Sequence, residues 1–319
     1  MGLGKTLQIV CFCDIFLRHT SSKTVLCIMP INTLQNWVAE FNMWLPLDAS
    51  TSPLSAHGEV RPRNFPIYVL NDSHKTLQMR AKVVKDWTTS GGVLMIGYEL
   101  YRLLSMKKDK KPRKKRKADA KLEAEKEEKK SDPPTEDTQA SEESKLDKDD
   151  GDSQAKSDEL KDETKKEDKK EDTPIDEDKK LLDEMYEALV KPGPDLVICD
   201  EGHRIKNSHS NISYALKQMR TKRRVVLTGY PLQNNLLEYW CMVDFVRPNY
   251  LGSKTEFCNM FERPIQNGQC IDSTPQDIRL MRYRAHVLHS LLVGFVQRRS
   301  HAVLQSTLPQ KEEYVLLVR

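Results

Sequence analysis

Apolar residues fall along this chain in two alternating rhythms. Short unbroken runs rich in Val, Ile, Leu and Met occupy 24–29 (TVLCIM), 67–70, 93–96, 196–199 (LVIC) and 225–227; they read as strands buried on both faces. Helical spacing recurs between them, at 7–18, 33–44, 75–87 and 212–219. Continuous apolar strands alternating with helices predict an α/β fold, a parallel sheet with helices on both faces. From 236 onward the strand-like runs stop, and helical patterns with aromatic and Leu positions run to about 299. A helical protrusion within the lobe is expected there. No internal repeat is visible.

The rhythm breaks between 107 and 180. These 74 residues hold 23 basic and 26 acidic side chains, no aromatic and only nine apolar residues, a composition unable to bury a core. A long disordered charged insertion is expected, placed in a surface loop because an amphipathic pattern restarts at 181–189 and leads into the next strand. The folded lobe is then 1–106 and 181–319. The insertion opens with KKDKKPRKKRK at 107–117, nine basic residues and one acid, which fits a nuclear import signal, a phosphate-binding arm or a solvated linker equally well. Outside the insertion, 28 basic against 21 acidic side chains leave a net +7.

Several classes are excluded by what is left. No apolar run reaches 18 residues, so no helix is expected to span a bilayer and no membrane partner is expected. No secretory signal opens the sequence, and an intracellular protein is expected. The seven cysteines at 11, 13, 27, 199, 241, 258 and 270 are scattered, without the clustering of a metal or disulfide framework; they read as reduced, mainly core residues.

Three elements carry chemistry. MGLGKT opens the chain, with Gly2 and Gly4 before Lys5 and Thr6 and an apolar helix directly after. Glycines let backbone amides curl round phosphate oxygens, the helix N-terminus adds its positive end, Lys5 reaches the β and γ phosphates, and the Thr6 hydroxyl binds Mg²⁺. The strand that should feed such a loop does not precede Met1, which points to an internal start. The second element, Asp200, Glu201, Gly202 and His203, follows the strand LVIC. Carboxylates at a strand's C-terminal end sit where open α/β sheets bind ligands; Asp200 suits Mg²⁺ and Glu201 the attacking water. The third, LTGYPLQNN at 227–235, follows another strand and the basic group Lys222, Arg223 and Arg224.

In this order the blocks resemble the Swi/Snf-type DNA-dependent ATPases of helicase superfamily two. GKT is similar to motif I, VLCIMPINTLQNWVAEF (25–41) to motif Ia, VLMIGYELYRLL (93–104) to the motif after it, DEGHRIKN (200–207) to motif II and LTGYPLQNNLLEYW to motif III. FVRPNYLGSKTEF, FERPIQNGQC and LLVGFVQRRSHAVLQSTLP complete the match, which covers nearly all of the chain outside the insertion. DEGH in place of the commoner DEAH, IQNGQC, and Tyr230 where most relatives carry Thr or Ser narrow it to one branch of the Rad54-like group. The resemblance implies the first of two RecA-like lobes of an ATP-driven translocase on double-stranded DNA, nuclear, acting on nucleosomes and serving as a transcriptional coregulator. It implies ATP phosphates on Gly2, Gly4, Lys5 and Thr6, Mg²⁺ on Thr6 and Asp200, and water activation by Glu201. Coupling of ATP to DNA would fall to His203, Thr228 and Gln233, and phosphate-backbone contacts to Pro30, Asn32, Tyr98, Glu99, Arg204, Lys206 and Asn207. The alternative is an adaptor that binds chromatin proteins or a nuclear receptor without hydrolysing ATP. Two Leu-x-x-Leu-Leu strings, at 100–104 and 288–292, have the receptor-docking pattern but read as core packing, as do Trp37, Trp44, Trp87 and Trp240.

Overall fold

Every residue of TVLCIM except the first is buried, and both faces of this strand meet helices. A computed structural model of the chain describes residues 3–106, 174–205, 207, 210–229, 236–304, 309 and 312–317. Its strands are β1 (Thr24–Met29), β2 (Ile67–Leu70), β3 (Gly92–Gly97), β4 (Leu196–Cys199) and β5 (Arg224–Val226). They form one parallel sheet in the order β2-β3-β1-β4-β5. All five fall within a residue of the runs that predict them.

Side-chain alternation splits the sheet's apolar residues between two cores. Val25, Cys27, Met29, Val93, Met95, Leu196 and Ile198 pack beneath α1 (Lys5–His19) and α2 (Leu34–Trp44). Leu26, Ile28, Leu94, Ile96, Val197 and Cys199 meet α3 (Leu77–Ser90), α4 (Tyr98–Ser105), α5 (Pro174–Leu189) and α6 (Asn211–Lys217) on the other face. Register between β1 and β4 is set at their entry. Asp195 accepts from the Lys23 and Thr24 amides at 2.8 and 3.0 Å and from the Thr24 hydroxyl at 3.1 Å. The Asp195 amide in turn donates to the Thr24 carbonyl at 3.1 Å. One carboxylate thereby joins two strands separated in sequence by the whole charged stretch.

Two expectations need correction. The expected disordered segment does not run to 180, because α5 begins at Pro174 within the charged stretch; Asp, Glu and Lys lack core-forming side chains yet are tolerated in helices, and proline suits a first helical position. Nor does helix continue to 299: the last long helix, α10 (Pro275–Leu292), stops at Leu292, and Gly294 follows at φ 100°. Four of the cysteines are buried, whereas Cys11 and Cys270 are exposed and Cys258 is half-buried, and none of them forms a disulfide.

The remaining helices build a third core. It gathers Trp240, Cys241 and Val243 of α7 (Leu236–Val246), Phe257 of α8 (Lys254–Phe257), Phe261 of a π turn (Cys258–Glu262), Ile265 of α9 (Arg263–Asn267), and Leu288 and Leu292 of α10. Two capping boxes start α8 and α10, Ser253 with Glu256 and Thr274 with Asp277, so two backbone amides at each of those N-termini meet a side-chain acceptor. α7 is shared, since its Phe245 lies in the second core of the sheet. In both Leu-x-x-Leu-Leu strings the first and last leucines are buried, at 8% or less exposed, which assigns them to packing. Among the described residues no helix is long and apolar enough to cross a membrane.

Candidate active site

Parallel strands present all their C-terminal ends on one edge, and here that edge carries most of the described residues singled out from the sequence. Pro30 follows β1, Tyr98 follows β3, Asp200 follows β4, and Leu227 and Thr228 follow β5. With β3, β1, β4 and β5 adjacent and strands about 4.8 Å apart, these loops form one row. α1 runs back from this edge to feed β1, which puts its N-terminus, with Lys5 and Thr6, beside the same row.

Asp200 is the most constrained of them. Its Oδ1 accepts from the Glu201 amide at 2.8 Å and its Oδ2 from the Trp37 indole Nε1 at 3.0 Å. Its backbone amide donates to the Ile28 carbonyl at 2.9 Å, and its carbonyl accepts from the Tyr98 hydroxyl at 2.5 Å. Burial raises the carboxyl above the ordinary range for aspartate; the Glu201 amide, the Trp37 indole and, more weakly, the Lys5 ammonium work against it, while the neighbouring Glu201 carboxylate adds to it. Two carboxylates side by side, one of them partly desolvated, favour a cation between them.

A tight turn continues from Asp200. Glu201 has φ 51°, unusual for a residue with a side chain, and Gly202 donates its amide to the Leu227 carbonyl at 2.7 Å. His203 Nδ1 lies 3.1 Å from Glu201 Oε2, buried but without an aligned hydrogen bond. Gly202 thus joins the loop after β4 to the loop after β5. A Cβ placed on Gly202 would lie 2.2 Å from Val226 Cγ1, so the glycine is required by space. Gly202→Ala is expected to cost about 1–3 kcal/mol in urea denaturation. The double change with Val226→Ala should recover part of that loss, whereas strict additivity would refute this contact as its cause.

At the other side of the row, Gly4 caps α1 with φ 73°. Nothing lies within 4 Å of a Cβ there, so the glycine serves backbone conformation and not space. No side chain caps α1 and no acidic residue occupies its first turn. Its leading amides are therefore open to an anion, with the half-buried Lys5 and Thr6 next to them. These residues fit a phosphate chain, and the Thr6 hydroxyl with the Asp200 carboxylate fits a hard cation.

The residues expected to contact DNA divide by exposure. Asn32, Glu99, Arg204 and Asn207 are exposed and Pro30 is half-buried. Glu99 is ion-paired with Arg102 at 2.9 Å, so its carboxylate is engaged within α4. Tyr98 is 4% exposed, and its phenol serves the Asp200 carbonyl, not the surface. Thr228 is half-buried at the end of the loop after β5. Gly2, Lys206, Tyr230 and Gln233 lie outside the described residues.

Three contacts escape sequence reasoning. Trp37 reads as a core residue, yet its indole orients the Asp200 carboxylate; the only signal is that a buried indole N–H needs an acceptor. Tyr98 supports the same loop from the other flank. Arg224 belongs to a basic cluster in sequence but turns inward, donating to the Met219, Thr221 and Phe245 carbonyls.

Comparison with known proteins shows the family and the fold. The family model for the SNF2-related domain matches residues 1–319. Helicase ARIP4 of Xenopus tropicalis is 55% identical over 319 residues, the match covering 100% of this chain and 20% of that protein. Transcriptional regulator ATRX of Homo sapiens is 37% identical, covering 100% of this chain and 10% of that protein. The chain thus spans about a fifth or less of these relatives' length. Among solved structures, the Sulfolobus solfataricus SWI2/SNF2 ATPase core in complex with dsDNA shares the fold with TM-score 0.50 at 18% identity, over 94% of this chain and 39% of that one.

Proposed function

Since the chain belongs to the SNF2-related domain family, we propose that it is the nucleotide-binding lobe of a nuclear ATPase that hydrolyses ATP in response to duplex DNA and moves along it on chromatin. The observation that carries this reading is the meeting of Lys5, Asp200 and Glu201 on one sheet edge, in a chain whose solved fold relative is an ATPase core bound to dsDNA. Relatives named as a helicase and as a transcriptional regulator support chromatin as the setting and a coregulator role.

In this reading the amides after Gly2 and Gly4 and the Lys5 ammonium hold the phosphates of ATP. Thr6 and Asp200 would hold Mg²⁺, which supplies charge neutralisation at the phosphate oxygens when bound. Trp37 and the Glu201 amide fix the Asp200 carboxylate so that it meets the cation without rearrangement. Glu201 accepts the proton of the attacking water, and its φ of 51° turns its side chain back beside His203. His203, Thr228 and Gln233 then report the nucleotide's state to the duplex. The hydrogen bond from Gly202 to Leu227 is the physical link between the two loops. Pro30, Asn32, Arg204, Lys206 and Asn207, with the backbone at Tyr98 and Glu99, line the edge offered to the phosphate backbone, which positions a duplex without reading it.

Directional movement is tested by displacement of a third strand from a triplex, using the protein carried on through its natural flanks to both lobes. ATP-dependent release of the third strand with the duplex left paired supports a translocase. Separation of the duplex strands, or no release in a protein that hydrolyses ATP, contradicts it.

A further inference from the structure

Between positions 278 and 304 the chain carries five arginines and three histidines and neither Asp nor Glu. Much of this charge rides on α10. That helix buries Leu288 and Leu292 in the third core, with Met281 packed against it. At about 100° per residue the opposite face presents Arg279, Arg282, Tyr283, His286, His289 and Ser290, all exposed. They form one row about 16 Å long, taking about 1.5 Å per residue. Neither Arg279 nor Arg282 forms an ion pair among the described residues; Arg279 Nε makes only a long bond of 3.4 Å to the Pro275 carbonyl within its own helix. α10 packs on α9 and the π turn, and its buried leucines belong to the third core, not to the two cores that hold the strands leading to Asp200.

We propose that this face of α10 is a second contact for the phosphate backbone of duplex DNA. All six side chains can donate to phosphate oxygens. The row has a single sign of charge, repeats every three to four residues and lies on a convex helix, as suits a regular polyanion. A folded protein partner would instead call for an anchor buried in a desolvated pocket. The inference extends the duplex partner of the reading above to a second face, and its test does not depend on ATP turnover.

The test is equilibrium binding of the full chain to labelled duplexes of unrelated sequence across a salt series, comparing the parent with Arg279→Ala/Arg282→Ala and Arg279→Lys/Arg282→Lys. The alanine pair should weaken binding roughly tenfold at about 0.1 M salt for every sequence alike and make the log–log salt slope shallower by about 2. The lysine pair should keep the parental slope, which separates loss of charge from loss of fold. Parental affinity and slope in the alanine pair would overturn the proposal. Unchanged duplex binding with lost binding of a poly-glutamate peptide would also overturn it and assign the face to an acidic protein. A changed slope in a protein without ATPase activity would leave this surface standing while the motor reading fell.

Discussion

Glu201→Gln, made in the protein carried on through both lobes, is expected to lower ATP turnover by about 10³-fold while leaving nucleotide binding nearly intact. Glutamine keeps the size of the side chain but loses the negative charge and with it the ability to take a proton. The backbone constraints that hold position 201 do not depend on that carboxylate. They are the Glu201 amide bonded to Asp200 Oδ1 at 2.8 Å and the Gly202 amide bonded to the Leu227 carbonyl at 2.7 Å. Single-turnover hydrolysis alongside equilibrium binding of a labelled nucleotide separates the two effects. A loss below about tenfold in kcat would remove Glu201 as the base. Parallel losses in binding and turnover would make its role structural.

Arg224→Ala is the second large effect and acts on folding. The guanidinium donates to the Thr221, Phe245 and Met219 carbonyls at 2.7, 2.8 and 2.7 Å and lies 4.9 Å over the Phe245 ring. It ties the start of β5 to α7 and to the segment after α6. Burial lowers its pKa. Truncation would leave three carbonyls without that donor, a loss of about 3–5 kcal/mol out of roughly 5–15 for a typical domain. Lysine should recover a minor part, because an ammonium cannot match the planar fork. Urea denaturation measures both variants. A loss under about 1 kcal/mol for alanine would show that water or a neighbour replaces the guanidinium.

Strand positions were readable because a sheet buried on both faces leaves unbroken apolar runs, and the acid pair was readable because it directly follows one of them. What stayed hidden depends on rotation of a side chain about its element and on partners far away in sequence. Trp37 and Asp200 are 163 residues apart, and Tyr98 and Asp200 are 102 apart. Nothing local distinguishes a tryptophan that only fills a core from one that also orients a carboxylate. Arg224 was hidden for a different reason: beside Lys222 and Arg223, both exposed, it reads as surface charge until β5 turns it toward α7. The start of α5 at Pro174 was masked by charge, which reports solubility and not backbone conformation. Gly202 shows the reverse case. Its departure from the commoner alanine was visible in the sequence, but the reason, Val226 in the place of a Cβ, appears only in the packing.

The measurement closest to the central claim is ATP hydrolysis with and without duplex DNA, by the protein carried on through its natural flanks to both lobes, beside its Lys5→Ala variant. Turnover that rises with duplex and disappears with Lys5 is the predicted result. Turnover no higher than the Lys5→Ala background, in a folded protein that binds DNA, would contradict the motor and leave a binding module in its place.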